Sequence, residues 1–296
     1  MNSYPAIMML SSLKLTWLPA ILLMFSPVLT TVATALQVTV RPERVNLGDT
    51  LKILVEPEPG ETLTEAPTVK VAGESVPVFA LGNHRWRALV PTTPLEQHGR
   101  RSLVVTGNNT TRNMLVWVGD RRFPTQSIWL REGGPQGTDH EFDRMDALRA
   151  MVTPQKFWNG TFRRPTSGPV TTGYGIRRYY NGVFANDYYH RGLDYAAPTG
   201  TPVIAAAAGR VAVVGRESDG FLIHGNTIGL DHGQGVTTVY LHLSRIDVRE
   251  GDMVQAGQVI GAVGNTGAST GPHLHWGLNV NGKNVDPQPW LSGGFE

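Results

Sequence analysis

His273-Leu274-His275-Trp276-Gly277-Leu278 decides how this 296-residue chain is read. Side chains of an extended segment alternate between two faces, so His273, His275 and Gly277 point one way and Leu274, Trp276 and Leu278 the other. One face is apolar and fit for a core. The other carries two imidazoles beside a glycine, which implies a β framework with a polar site laid on its surface.

Two more segments repeat this pattern. In Tyr240-Leu241-His242-Leu243, strict alternation predicts Thr238, Tyr240 and His242 on one face and Val239, Leu241 and Leu243 on the other. In His190-Arg191-Gly192-Leu193-Asp194, an imidazole and a carboxylate stand four residues apart, an even spacing that turns both to one face, with Gly192 opening space between them. Six of the nine histidines, His190, His224, His232, His242, His273 and His275, fall in this part of the chain. Chance is the poorer explanation for three such faces. His232, in Asp231-His232-Gly233-Gln234-Gly235, reads as a hairpin-turn residue and His224 as part of a loop beside the groove, while His84 and His98 read as surface residues.

Composition narrows the chemistry. There is no cysteine, so disulfides, thiolate zinc sites and cysteine nucleophiles are excluded, and any metal must be held by His and carboxylates. A net charge of +2 gives no field that argues for nucleic acid. Gly257, Gly261, Gly264, Gly267 and Gly271 do not form a phosphate loop, because no Gly-Lys-Ser/Thr or G-x-G-x-x-G pattern opens a helix there. Two imidazoles and a carboxylate form an N,N,O set that suits zinc and leaves a fourth position open. Zinc there lowers the pKa of water to about 7 and polarises a carbonyl, which makes amide hydrolysis feasible near neutral pH. No His-Glu-x-x-His is present, so histidines that do not bind the metal are the natural proton carriers.

These residues resemble the LytM/lysostaphin family of zinc peptidoglycan endopeptidases, whose signature is H-x-x-x-D followed much later by H-x-H. The likeness runs from about Ser167 to Trp290 and includes Pro169-Val170-Thr171-Thr172-Gly173-Tyr174-Gly175-Ile176-Arg177. The resemblance implies that His190, Asp194 and His275 bind one Zn2+ and that His242 and His273 form an unligated catalytic pair. Tyr240 is expected either to position substrate or the oxyanion, or to pack against the sheet. The implied partner is the peptide stem of peptidoglycan, with no nucleic acid. The implied activity is hydrolysis of peptide cross-links, with direct D-alanyl cross-links preferred to glycyl bridges. The alternative is a catalytically inactive LytM-type regulator that activates a cell-wall amidase, although such relatives typically lack some of the ligands and all five positions are filled here.

The rest of the chain reads as mainly β. Thirty-four glycines and 20 prolines favour many short strands. Residues 1–35 read as a signal peptide: Lys14, an apolar run from Leu15 to Leu29, then Ala33-Thr34-Ala35 before Leu36. An uncleaved N-terminal anchor is the competing reading. Either one puts the protein outside the cytoplasm, periplasmic or secreted, with membrane contact through an uncleaved N-terminus only. Residues 36–120 read as a β-sandwich-like domain and 121–166 as a linker. In that linker Phe142, Met145, Leu148 and Met151 mark an amphipathic helix over Thr138–Met151 packed between domains, with Asp139, Glu141 and Asp143 near its positive end. Residues 167–296 are the antiparallel β, LytM-type zinc peptidase domain. The extra domain also raises the expectation of a latent form with the groove covered.

Overall fold

Runs of β-branched and aromatic residues punctuated by glycine form strands throughout a computed structural model, which describes residues 36–295 apart from 64, 109 and 130–135. The expected signal peptide therefore lies outside the described residues. Among the described residues no helix is long and apolar enough to cross a membrane.

The first half is a sandwich of two sheets, as its alternating segments predict. Strands Leu36–Arg41, Thr50–Pro57, Arg85–Pro91 and Val78–Gly82 form one sheet in that order. Strands Val45–Asn46, Thr110–Gly119, Gly99–Gly107, Thr68–Val71 and Glu74–Val76 form the other. Their inward residues, among them Ile53, Val55, Ala88, Leu103, Val105 and Val118, share one buried core, each large side chain contributing about 1.5–3 kcal/mol.

The second half is built on an eight-stranded sheet. Its main path runs Val170–Thr172, Gly192–Ala196, His273–Val280, Val236–Leu241, Thr227–Gly233, Gly209–Gly215 and Met253–Val254, with Lys283–Val285 added beside His273–Val280. Every pairing in it is antiparallel. One face packs on a three-stranded sheet of Pro202–Ile204, Val259–Val263 and Leu243–Ile246. Leu193, Tyr195, Tyr240, Leu274, Trp276 and Leu278 fill the space between, with Val203, Leu243, Ile260 and Val263.

The intervening stretch is less passive than a linker. Trp158 and Phe162 are members of the second core, and the Phe162 ring meets Trp290 at 5.2 Å. Strand Thr125–Ile128 pairs in parallel with Arg177–Tyr180. Helix α1, Asp139–Arg149, differs from its expected role between domains. Met145 and Leu148 pack on Val213, Val239 and Leu241 of the large sheet, with Leu148 seated over Gly229, where a Cβ would collide with it. Three-residue steps drift about 60° per step around a helix, so Phe142 leaves the buried stripe and is 44% exposed.

Candidate metal centre and active site

The site lies on the second face of the large sheet, the face that carries α1. Antiparallel register sets Asp194 opposite His275 and Ala196 opposite His273, so both acid and imidazoles share one face. His190 precedes its strand and is fixed by backbone bonds in both directions, His190 N–H to the Ile176 carbonyl and Gly175 N–H to the His190 carbonyl, each 2.8 Å. Three ligand atoms converge. Asp194 Oδ1 is 3.0 Å from His190 Nε2 and 2.8 Å from His275 Nδ1, and the two ring nitrogens are 3.1 Å apart.

This set fits a divalent ion. His190 Nδ1 lies 2.8 Å from the Gly173 carbonyl, which makes it the protonated nitrogen and leaves the Nε2 lone pair facing Asp194 and His275. Burial raises the Asp194 carboxyl, but its polar contacts with the His190 and His275 rings outweigh that and hold it well below the usual carboxylate range. Burial brings His275 down to about 4, so a neutral imidazole faces an ionised carboxylate there, the protonation state a metal requires. Gly192 is needed for the approach: a Cβ there would stand 2.8 Å from His275 Nε2 and closer still to the Trp276 carbonyl.

His242 and His273 flank the cluster, with ring centroids 4.8 Å apart. His242 reaches it by a route that strict alternation misses. Leu241, not Tyr240, stands opposite His275, so Tyr240 points to the core with Trp276. The strand ends at Leu241, and His242 adopts φ +65°, a left-handed conformation that turns its ring back to the His275 side. Its N–H donates to the His224 carbonyl at 3.1 Å, and Nδ1 lies 2.8 Å from the Thr266 carbonyl, which leaves Nε2 as the acceptor. Burial, then the His273 and His275 rings, bring its pKa down to about 3. His273 Nδ1 is 2.8 Å from the Gly271 carbonyl.

Tyr240 corrects the expectation that it positions substrate. It is fully buried, its hydroxyl accepts the Ala206 N–H at 2.8 Å, and burial pushes its pKa up to about 12. His232 is not the hairpin-turn residue expected of it. It is fully buried at a bulge in its strand, bonded to the Ala208 carbonyl and Thr238 Oγ1, both at 2.8 Å, while Gln234 and Gly235 make the turn. His224 is held by Glu141 of α1, whose buried carboxylate lies 3.0 Å from Nδ1. Burial outweighs that carboxylate and keeps His224 below its ordinary pKa, so the contact is a hydrogen bond from a neutral ring.

The profile of Peptidase family M23 matches residues 188–287, which contain all five site residues. The chain belongs to peptidase family M23. The matched span is narrower than the expected Ser167–Trp290, and the family is one of metallopeptidases. Over 98 residues the chain is 49% identical to the DD-carboxypeptidase/endopeptidase Mpg of Neisseria meningitidis, a match covering 33% of this chain and 22% of that protein. It is 42% identical to lysostaphin of Staphylococcus simulans over 124 residues, 40% of this chain and 24% of the other. The chain therefore aligns with less than a quarter of either relative's length. A crystal structure of a candidate M23 peptidase from Pseudomonas aeruginosa is 29% identical with TM-score 0.62, covering 84% of this chain and 95% of that one. That likeness extends well beyond the peptidase segment.

Proposed function

We propose that the protein is a zinc endopeptidase that hydrolyses peptide cross-links of bacterial peptidoglycan outside the cytoplasm. His190, Asp194 and His275 hold the ion, and His242 and His273 handle protons. The observation that carries this reading is the convergence of His190 Nε2, Asp194 Oδ1 and His275 Nδ1 beside two further imidazoles whose Nδ1 atoms are already committed to carbonyls.

Zinc, when bound, supplies the Lewis acid that polarises the scissile carbonyl and acidifies water. The chain's own groups do the rest. The Gly173 carbonyl fixes the His190 tautomer, and the Thr266 and Gly271 carbonyls do the same for His242 and His273. Each of the pair then offers Nε2: one takes a proton from the attacking water, and an imidazolium so formed returns it to the leaving amine.

Direct D-alanyl cross-links are the favoured bond. The Neisseria relative is named a DD-carboxypeptidase/endopeptidase, and a Vibrio cholerae relative, 44% identical over 99 residues, a peptidoglycan DD-endopeptidase. The test is mass spectrometry of muropeptides released from purified sacculi of both wall types, with and without a zinc chelator. Chelator-sensitive loss of D-alanyl cross-links is expected. No release, together with stimulation of an added amidase, would instead establish the regulator.

A further inference from the structure

Helix α1 lies outside residues 188–287, yet it reaches the site through one buried acid. Glu141 is fully buried, and its carboxylate accepts the Ile223 N–H at 3.1 Å, the His224 N–H at 3.3 Å and the His224 ring at 3.0 Å. A surface helix of this length does not need such a residue. Its third-position acid ordinarily serves the cap alone, and here it also closes the cap with Thr138, whose hydroxyl donates to the Gly220 carbonyl at 2.8 Å. Both ends of the loop 220–224 are thus tied to α1.

That loop is the scaffold of His242. The His224 carbonyl accepts the His242 N–H at 3.1 Å, and the Asn226 carbonyl accepts the Leu243 N–H at 2.9 Å. The Ile223 carbonyl accepts the Ala268 N–H at 2.9 Å, and Thr266 Oγ1 accepts the Asn226 N–H at 3.0 Å. The loop, with Asn226 just beyond it, therefore also holds the segment whose Thr266 carbonyl orients the His242 ring. A left-handed conformation is costly for a residue with a Cβ and persists only where its surroundings impose it.

We propose that Glu141 is a positioning residue for His242: by fixing the loop 220–224 it imposes the backbone conformation that turns the imidazole toward Asp194 and His275. The proposal rests on the peptidase reading above. The linking helix is then part of the working enzyme.

The experiment uses the full chain. Wild-type cleavage of sacculi and its loss in His242→Ala come first, and their failure would count against the peptidase reading itself. Given both, Glu141→Ala should lower kcat roughly 10- to 100-fold, the cost of a misplaced catalytic group, with KM and metal content unchanged. Amide exchange at His242 and Leu243 should quicken while that at Leu193 does not. Glu141→Gln, which retains an oxygen for the loop N–H groups, should recover most of the loss. Arg144→Ala, which removes the same helix's ion pair with Glu250 and leaves the Glu141 bonds to the loop in place, should keep kcat. Equal loss of kcat in Arg144→Ala, unchanged kcat and His242 exchange in folded Glu141→Ala, or a kcat in Glu141→Gln no higher than in Glu141→Ala would overturn the proposal.

Discussion

Asp194 stands directly opposite His275 across an antiparallel strand pair, and 2.8 Å separates Oδ1 from Nδ1. Register alone therefore assembles two thirds of the ligand set, and any slip of one residue would send one of the two side chains into the core. His190 joins from a loop pinned by Ile176 and Gly173.

His242→Ala should keep its metal and lose turnover, because the ring stands beside the ligand cluster without belonging to it. Asp194→Ala should lose both. Elemental analysis paired with muropeptide release separates the two behaviours, provided thermal unfolding shows each variant folded. Metal retained in full by Asp194→Ala would contradict the ligand assignment.

Gly192→Ala should be destabilising by about 1–3 kcal/mol and should weaken metal binding. The added methyl meets the Trp276 carbonyl and the His275 ring, so it presses on a ligand as well as on the sheet. Denaturant unfolding with and without added zinc would reveal both effects. Wild-type affinity in a destabilised variant would mean that the ring adjusts freely.

Folding stability should fall as pH drops from about 6.5 to about 4 because of His232. Burial holds its folded pKa near 4, so the unfolded chain binds the proton first and stability rises with pH across that window. At full effect the loss is roughly 3 kcal/mol. Urea titrations of wild type and His232→Gln at several pH values check this, and parallel pH dependence in the two would rule the residue out.

Phe162→Ala should cost about 3–5 kcal/mol, the price of an aromatic removed from a core. Phe162 and Trp158 close the second core against Trp290. A shift in unfolding midpoint too small for that loss would show that 121–166 only spans the gap.

Period-two patterning was legible where the chain follows it, as on the apolar face of His273–Val280. Motif spacing was sufficient to nominate the five residues that come together. Tyr240 was misread because alternation was carried one residue past the strand, through a left-handed His242 that no pattern of side-chain types announces. Glu141 was legible as a cap acid through Thr138-x-x-Glu141. Its second role depends on a loop some 80 residues away, and such a tertiary contact leaves no periodic trace.

The most direct test is anomalous diffraction at the zinc edge from crystals of the full protein. The account predicts one strong peak bounded by His190 Nε2, Asp194 Oδ1 and His275 Nδ1, with His242 and His273 nearby but not bonded to it. A peak centred on other residues, or zinc-supplemented crystals in which these three side chains bond only to one another, would contradict it.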